Sequence, residues 1–360
     1  MSSQLDSTNT LLLAFAAPGF KTRSEIWSGL REAFPQSKLL GCSTAGEIQG
    51  SQVFDESVTL SVTQFEKTII RKASARAGSF EASALAGHQL AEQFELNGLK
   101  AILVLSDGQF VNGSELLRGM YEVLPTSVKI SGGLAADGIH FGPTWVLTEN
   151  GPENGRVSAV GFYGDDIDVS SGSQGGWDRF GIERTITRSE GSVLYELDGK
   201  PALQLYKDYL GDRAKQLPAS ALLFPLEMQR DTGVVMRTIL NVDEANQSMT
   251  FAGDVPTGSI VRLTRANFDR IVSCAATAAE DAAAQTIAGE DSLLVTVSCV
   301  GRRLVLKDRT EEELEATLSA MPQGVRQIGF YSYGEIAPIR GGAASDLHNQ
   351  TMTVTLFHER

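Results

Sequence analysis

One order of segments recurs three times along the chain and restricts the folds that it can adopt. Each copy opens with an apolar run typical of a buried strand, at 11–17, 100–108 and 292–302, and continues into a helix and a second strand. Each second strand ends in a small residue followed by an acid, in the pairs Gly46-Glu47, Ala136-Asp137 and Gly334-Glu335. Three occurrences of one plan indicate internal duplication.

Further strand-like segments follow the turns. Residues 56–65 and 68–77 alternate apolar and polar side chains after the first turn, and residues 144–150 and 156–164 follow the second. We predict that the two strands of each set pair with each other as a hairpin. Residues 350–358 form the closing strand of the third copy.

The middle of the chain has a different pattern. Residues 172–181 are glycine-rich and indicate a linker or crossover. Residues 191–211 predict a strand, an Asp-Gly turn and a helix that begins at Pro201 and ends at Gly211. A β-rich stretch at 219–263 precedes an alanine-rich helix at 267–286.

These segments predict an α/β fold of mixed β-sheets with flanking helices, built from repeated strand–helix–strand–hairpin units in two halves. The change in pattern places a boundary near 175–190. The chain therefore divides into an N-terminal part, 1–180, and a C-terminal part, 181–360.

Charge and targeting signals exclude several classes of function. The 44 acidic residues outnumber the 31 basic ones, for a net charge of −13, which disfavours nucleic acid and anionic membranes as partners. The N-terminus has no basic region before its short apolar run, and no run approaches the roughly 20 apolar residues of a membrane span. Three cysteines without a Cys-x-x-Cys pair indicate the reducing cytoplasm, and the scattered histidines disfavour a multi-histidine metal site.

The stretch "GCSTAGEI" at 41–48 raises the question of catalysis, because it contains Cys42 beside two hydroxyl groups. A cysteine nucleophile needs a depressed pKa, usually from a histidine or a helix N-terminus. No histidine lies near Cys42 in sequence, and Phe330 stands at its position in the third copy. A packing role is favoured, and a hydrolase using Cys42 or Thr44 is the less favoured alternative.

The glycine turns suit a binding surface better, because small residues let a ligand approach the backbone closely. They lack the Gly-x-x-x-x-Gly-Lys-Ser/Thr spacing of a phosphate loop. We expect a polar pocket lined by the turns at 42–47, 132–138 and 331–335, although tight turn geometry alone could explain them. The candidate ligand-binding residues are Cys42, Ser43, Thr44, Glu47, Gly132, Gly133, Asp137, Tyr331, Tyr333, Glu335, Arg340, His348 and Asn349.

The charged candidates each have two interpretations. The acids of the three turns could bind a ligand ammonium group or cap backbone N–H groups. Arg340 could clamp a ligand carboxylate or form a surface salt bridge. His348 and His140 could contact a ligand or metal, or could be hydrogen-bonded turn histidines.

Several motifs together resemble the FIST family of sensory proteins. They are "GCSTAGEI", "SGGLAADG", "VLYELDGKPALQLYKDYLG", "SCVGRR" and "GFYSYGEIAPI" followed by "LHNQTMTVTLF". The resemblance runs through nearly the whole chain and through both the N-terminal and C-terminal FIST parts. It implies a bacterial or archaeal cytoplasmic sensor that binds a small ligand, usually suggested to be an amino acid.

The resemblance also implies a haem alternative, since some stand-alone FIST proteins are haem-bound nitric oxide sensors. No Cys-x-x-Cys-His motif occurs, but non-covalent haem needs only one suitable axial residue. His348 and His140 are the axial candidates, followed by Tyr333 and Cys42.

The expected output is through a partner. The last predicted strand ends close to Arg360, so we expect no kinase or cyclase domain in the chain. The resemblance then implies a separate signalling protein, such as a histidine kinase or a cyclic-di-GMP enzyme. Self-association and a purely scaffolding role are left open by the residues.

Overall fold

The computed structural model describes residues 4–138, 140, 142–230, 233–286, 289, 291–339 and 344–360. The α/β class, with mixed sheets and flanking helices, is confirmed. Among the described residues, none of the helices combines the length and the apolar character that a membrane crossing requires.

Three repeat units and one inserted domain make up the structure. The first unit comprises β1 (Thr10–Ala16), α1 (Ser24–Ala33), β2 (Lys38–Ser43), β3 (Glu47–Gln49), β4 (Gln52–Phe54) and β5 (Val58–Gln64). The second comprises β6 (Ile69–Arg76), α2 (Ser83–Ala91), β7 (Leu99–Ser106), α3 (Gly113–Tyr121), β8 (Lys129–Leu134), β9 (Val146–Thr148), β10 (Gly151–Glu153) and β11 (Arg156–Tyr163).

The third unit is interrupted after its first strand, β12 (Ile167–Gln174). The inserted domain then comprises β13 (Asp178–Glu190), β14 (Val193–Leu197), β15 (Lys200–Pro201), α4 (Ala202–Leu210), β16 (Leu226–Arg230), β17 (Gly233–Arg237), β18 (Ile239–Asp243), β19 (Ser248–Phe251) and β20 (Ile260–Arg265). The unit resumes with α5 (Phe268–Ala283), β21 (Leu293–Cys299), α6 (Val300–Leu306), α7 (Thr310–Ser319), β22 (Arg326–Ser332), β23 (Gly334–Pro338), β24 (Ser345–His348) and β25 (Met352–Glu359).

Local chemistry accounts for several of these elements. The three predicted apolar runs became β1, β7 and β21, and nearly every residue in them is buried, as expected for strands covered on both faces. Helix α3 begins after Asn112, whose side-chain oxygen accepts the N–H groups of Ser114 and Glu115. Helix α4 follows Pro201 and ends at Gly211 with a φ of 57°, as the sequence predicts.

Each unit has the same central pairing. Its first and second predicted strands are parallel, as in β1–β2, β7–β8 and β21–β22. An antiparallel strand, β5, β11 or β25, covers the other edge of the first strand. Side chains from all three sheets meet in one central core, where equivalent positions hold Phe15, Leu105 and Val297.

The strand after each turn leaves its own unit. Strand β3 pairs with β22 of the third unit, β9 pairs with β2 of the first, and β23 pairs with β8 of the second. The predicted hairpins are therefore wrong: β5 pairs with β1 whereas β6 pairs with β11, and β9 and β11 lie in different sheets. Alternation identifies the buried face of a strand, but it does not identify the partner.

Equivalent backbone hydrogen bonds close this exchange. The N–H of Ala45 donates to the carbonyl of Tyr331 (2.8 Å). The N–H of Ala136 donates to Ser43 (2.9 Å), and that of Tyr333 donates to Leu134 (3.2 Å). In each turn the residue that donates lies two positions after the residue that accepts. Each turn therefore donates to one neighbouring turn and accepts from the other, and the three turns form a closed cycle.

The chain also repeats a strained conformation close to the start of the antiparallel strands β5, β11 and β25. The residues before the equivalent positions Ser57, Arg156 and Thr351 all have positive φ, namely Glu56 (49°), Gly155 (63°) and Gln350 (60°). Only the glycine adopts this conformation without strain. Recurrence at one structural position supports the duplication that the sequence indicates.

The acid of the second turn is not equivalent to the other two, contrary to the prediction. In strand pairing Glu47 lies opposite Phe330, and Glu335 lies opposite Gly133. The corresponding residue of the second unit is Val146, opposite Cys42. Val146 lies ten residues after Ala136, whereas Glu47 lies two residues after the equivalent Ala45. These additional residues, the insert of the second unit, move Asp137 out of the strand register.

The inserted domain has its own core, formed by residues such as Leu203, Phe251 and Leu263. Strand β12, before the inserted domain, pairs with β25, after it, so the third unit is continuous on both sides of the inserted domain. The predicted glycine-rich crossover at 172–181 includes the end of β12 and the start of β13. The predicted division at residue 180 falls just inside β13, where the chain enters the inserted domain.

Candidate ligand-binding cleft

A cleft of about 740 Å³ opens at the carboxyl ends of the parallel strands. All three repeat units contribute to its walls, through the first turn, the insert of the second unit and helix α6 of the third. The carboxyl ends of parallel strands are a usual place for ligand sites in α/β folds. Its charged side chains and its histidine are Glu47, Asp55, Glu56, Asp137, Arg303, Lys307 and His140.

Arg303 is held rigidly at one side of this cleft. Helix α6 starts directly after β21 and places the guanidinium against the first turn, where Nη1 donates to the carbonyl oxygen of Ala45 (2.5 Å). Nη1 and Nη2 also donate to the two carboxylate oxygens of Asp55, at 2.8 and 2.6 Å. The guanidinium carbon lies 5.6 Å from the ring centre of Tyr331. The hydrogen bond from Arg303 lowers the pKa of Asp55.

Glu47 is held from both sides, although it lines the cleft. The Thr44 hydroxyl donates to Oε1, while the N–H (3.2 Å) and the hydroxyl (2.6 Å) of Ser57 donate to Oε2. Burial raises the pKa of Glu47 despite these donors, because desolvation disfavours the charged form.

Asp137 brings the insert of the second unit into the cleft. Its carboxylate accepts the Tyr333 hydroxyl and the N–H of Gly142 (2.7 Å). His140 is exposed and lies in the same insert. Asp137 thus links the cleft to the turn of the third unit.

Two residues at the edge of the cleft have unusual backbone conformations. Glu56 and Lys307 are exposed and have φ values of 49° and 53°. Lys307 immediately follows helix α6. Positive φ values at non-glycine residues carry strain and are concentrated at functional sites. The positive φ of Glu56 recurs at Gly155 and Gln350 and belongs to the repeat, whereas that of Lys307 has no equivalent among those three positions and marks the edge of the cleft.

Family comparison now identifies the kind of protein. One family model, the FIST N domain, matches residues 10–200, and a second, the FIST C domain, matches residues 202–338. The chain belongs to the FIST family. FIST domains are sensory domains that bind small ligands, so the resemblance seen in the sequence is confirmed.

Individual relatives of this FIST chain are distant. An uncharacterised protein of Methanocaldococcus jannaschii is 23% identical over an alignment of 350 residues, which covers 86% of this chain and 66% of the relative. The chain thus spans about two thirds of the length of that relative. A solved cyanuric acid hydrolase from A. caulinodans matches 97% of this chain and 90% of its own, with 9% identity and a TM-score of 0.38. That likeness is too low to support an argument.

The FIST cleft includes some of the predicted ligand-binding residues. Thr44, Glu47 and Asp137 line it, together with His140. Ser43 does not, because its hydroxyl is buried and accepts the Trp145 N–H at 3.0 Å. Of the first predicted turn, 42–47, residues 44–47 therefore line the cleft.

Cys42 is a packing residue, contrary to its place among the ligand-binding candidates. It is fully buried in the central core beside Phe15 and Val146. Burial, together with the charge of Glu47, raises the pKa of the Cys42 thiol, which disfavours the nucleophilic thiolate. This surrounding opposes the hydrolase alternative.

Three further candidates are also interior. Gly132 has a φ of 137°, and a Cβ there would lie 1.8 Å from the carbonyl oxygen of Val104. A Cβ at Gly133 would lie 2.8 Å from Val297 and 3.4 Å from the ring of Phe330. Tyr331 is fully buried and its hydroxyl lies 2.8 Å from Oε1 of Glu313. These residues shape the fold behind the cleft.

The remaining candidates lie away from the cleft. Glu335 is fully buried, and Asn349 is buried behind the third turn. His348 lines a separate cavity of about 350 Å³. Tyr333 is not among the residues that line the cleft, but its hydroxyl donates to Asp137 and to the carbonyl of Gly138, which do line it. Arg340 lies outside the described residues.

The haem candidates do not fit an axial role. An axial ligand must face a slot for a large, mostly apolar ring. His140 is exposed in a charged cleft, whereas His348 is buried with Nε2 3.3 Å from the carbonyl of Ala337. The Tyr333 hydroxyl is engaged in a hydrogen bond, and Cys42 is sealed in the core. Among the described residues, no cluster of three or more His, Cys, Asp or Glu side chains is placed to hold a metal ion.

The sequence-based candidates missed four charged residues of the cleft: Asp55, Glu56, Arg303 and Lys307. A signal for Arg303 was present, because it follows the carboxyl end of a predicted parallel strand in "SCVGRR". Asp55 carried no such signal, since its role depends on the packing of the third unit against the first.

Proposed function

We propose that the cleft binds a small zwitterionic ligand, with an amino acid as the best fit, and that the protein is a cytoplasmic sensor. The observation that carries this proposal is the presence of both charge signs within one cleft. Lys307 can meet a carboxylate, and Asp137 and Glu56 can meet an ammonium group. Ligand sites of this size commonly use a few such polar groups to fix orientation.

The charge balance favours a basic amino acid over an acidic one. Arg303 and Asp55 largely neutralise each other through their two hydrogen bonds. Glu56 and Asp137 then face the single charge of Lys307, which leaves a net negative cleft. A ligand such as arginine or lysine would balance this charge with its second cation.

Signalling would follow from the place of the cleft between repeat units. A ligand that contacts all three units favours the arrangement in which their walls lie at the correct spacing. A partner that distinguishes this arrangement would read the signal. A histidine kinase or a cyclic-di-GMP enzyme is the class of partner that we propose.

Thermal unfolding in the presence of single amino acids tests the ligand. Because a ligand bound only to the folded state stabilises it, about 100 Kd of ligand adds roughly 2–3 kcal/mol to the free energy of unfolding. We expect arginine or lysine to raise the melting temperature more than glutamate does. Lys307→Gln and Asp137→Asn should weaken binding, whereas the exposed controls Lys215→Gln and Asp212→Asn should not.

Equal response to arginine and glutamate, or unchanged binding in both cleft variants, would contradict this assignment. Haem sensing is the competing function and needs a separate measurement. A Soret band in the purified protein that shifts with nitric oxide would favour haem over the amino acid. A pull-down with a candidate kinase or cyclic-di-GMP enzyme, with and without the amino acid, tests the output.

A further inference from the structure

The first repeat unit differs from the other two at one edge of its sheet. In the second unit β6 pairs with the outer edge of β11, and in the third β12 pairs in the same way with β25. Both pairings are antiparallel, and we call β6 and β12 the outer strands. In the first unit β5 is the equivalent of β11 and β25, but among the described residues it is the last strand of its sheet. The first unit therefore has an open sheet edge.

The open edge of β5 presents backbone groups without partners. Just beyond the two ends of β5, the N–H of Ala17 donates to Ser57 (3.0 Å) and the N–H of Phe65 donates to Asn9 (3.1 Å), so the odd-numbered residues bond towards β1. In an antiparallel ladder the residues between them point the other way. The residues whose N–H and carbonyl groups face the open edge, with no hydrogen-bond partner among the described residues, are Val58, Leu60, Val62 and Gln64.

The sequence of β5 does not protect this edge. Natural proteins commonly protect an exposed edge strand with charged side chains or proline, because its free N–H and carbonyl groups can pair with another chain. The segment VTLSVTQ contains neither. The edge is therefore suited to accept a strand.

A groove of about 580 Å³ lies beside the open edge. Ser61 and Thr63 of β5 line it, and so do Leu293 and Arg326 at the starts of β21 and β22. The outer strands occupy the corresponding place in the other units, since β6 packs against β2 of the first unit and β12 packs against β7 and β23. Each outer strand thus lies between its own sheet and a neighbouring unit, and the groove has room for one strand and not for the whole sheet of a second copy.

Arg326 is placed to hold a strand in this groove. It is the first residue of β22, and Lys129 is the first residue of β8, the equivalent strand of the second unit. The Lys129 ammonium group donates to the carbonyl oxygen of Val169, in the outer strand of the third unit, at 2.6 Å. Arg326 is exposed, and its guanidinium has no partner among the described residues. The unit whose outer strand it would contact is the first.

Strand register defines the side chain that the groove accepts. In the outer strands Ile70 lies opposite Phe162 and Val169 lies opposite Phe357, and the equivalent residue of β5 is Thr63. Ile70 is buried in the central core, and Val169 packs against it. A strand in the groove therefore directs a β-branched apolar side chain inwards opposite Thr63.

We propose that β5 binds an extended segment of a partner protein as a third outer strand. The segment runs antiparallel to β5, has about the eight residues of β6 and β12, and carries Val or Ile opposite Thr63. The main-chain groups of β5 supply affinity and the apolar side chain supplies specificity, as in other cases of strand addition. Arg326 donates to a carbonyl oxygen of the segment. The proposal does not depend on the amino-acid ligand.

Fluorescence anisotropy of a labelled synthetic peptide that copies residues 165–174, which contain β12, tests the proposal with the full chain. We expect one peptide to bind per chain. The same peptide with Val169→Asp should bind at least about tenfold more weakly, because a charge would then enter the central core. Amide hydrogen exchange of residues 58–64 should slow when the peptide binds, which locates the site.

Variants of the protein test the two sides of the groove. Val62→Pro removes an N–H that faces the open edge and not β1, so it should abolish peptide binding without breaking the sheet. Arg326→Gln should weaken binding severalfold, whereas the exposed control Arg23→Gln should not. Lys307→Gln alters the charged cleft and should leave peptide binding unchanged.

Absence of peptide binding, or equal binding of the two peptides, would overturn the proposal. Unchanged affinity in Arg326→Gln would also overturn it, and this test holds even if Val62→Pro fails to fold. Sedimentation of the full chain tests the other occupant. A dimer that Val62→Pro separates into monomers would assign the edge to a second copy and not to a partner segment.

Discussion

Glu335 occupies in the third unit the position that Glu47 occupies in the first. Each carboxylate accepts the hydroxyl of the residue three positions earlier through one oxygen. The second oxygen of each carboxylate accepts the N–H and the hydroxyl of one residue next to the antiparallel strand. That residue is Ser57 in the first unit and Thr351 in the third. The two acids tie equivalent turns to equivalent strands, but Glu47 borders the cleft whereas Glu335 is sealed from solvent.

The buried Glu335 should make stability depend on pH. Burial raises its pKa from 4.5 to about 7 in the folded protein. Between these two values the folded state retains a proton that the unfolded state has lost, so stability decreases as the pH rises through this window. The loss amounts to about 3 kcal/mol. Urea unfolding at pH 5 and pH 7.5 measures most of it, about 2 kcal/mol.

Glu335→Gln should remove most of this decrease, because the variant has no proton to lose. The exposed Glu25→Gln variant is the control and should behave as the wild type does. If the wild type and Glu335→Gln show the same pH profile, Glu335 is not the group that titrates.

The buried ion pair of Arg302 and Glu313 should be the most sensitive charged site of the core. Both side chains are 0% exposed, and Nε and Nη2 of Arg302 donate to Oε2 of Glu313 at 2.9 and 2.7 Å. Glu313→Gln leaves the arginine charge buried without its counter-ion and should cost about 3–5 kcal/mol of stability. Urea unfolding provides the measurement.

The double variant Arg302→Met with Glu313→Leu should recover much of this loss, because it removes both charges together. Asp212→Asn breaks an exposed pair and should have no measurable effect. A Glu313→Gln variant as stable as Asp212→Asn would show that the buried pair contributes nothing.

The three thiols should differ in reactivity. Cys42 and Cys299 are buried and Cys274 is half-buried. Because burial raises the pKa of both Cys42 and Cys299, they should resist alkylation in the native protein while Cys274 is modified. Mass spectrometry after iodoacetamide treatment, with and without urea, counts the modified sites. Rapid native modification of Cys42 would revive the nucleophile interpretation.

Tyr333→Phe should affect both stability and the charged cleft. The variant removes the hydroxyl that donates to Asp137 and should cost about 1 kcal/mol. The insert that contains Asp137 then loses its link to the third turn, so amino-acid binding should weaken severalfold. Thermal shift with the preferred amino acid gives the readout.

Tyr121→Phe is the matched control for Tyr333→Phe. It loses a hydrogen bond from the Ser345 N–H (2.7 Å) away from the cleft, so it should lower stability without changing ligand affinity. Equal loss of affinity in both variants would assign the effect to general destabilisation.

Local sequence determined the elements and the position of the turns. The apolar runs at β1, β7 and β21 predicted covered strands, and Pro201 and Gly211 marked the ends of α4. The loss of the cysteine in the third copy already indicated that Cys42 packs in the core. These properties depend on side-chain periodicity and local backbone preference, which act within a few residues.

Tertiary structure alone decided the partners of the strands and hence the cleft. Each strand edge presents the same N–H and carbonyl groups, so sequence periodicity does not distinguish a strand of the same unit from one of the next. The exchange of β3, β9 and β23 between units set the register of each turn, and the additional residues of the second unit placed Val146 and not Asp137 at the position of Glu47. It was packing between distant units that brought Arg303 to Asp55, and this pair forms one wall of the cleft.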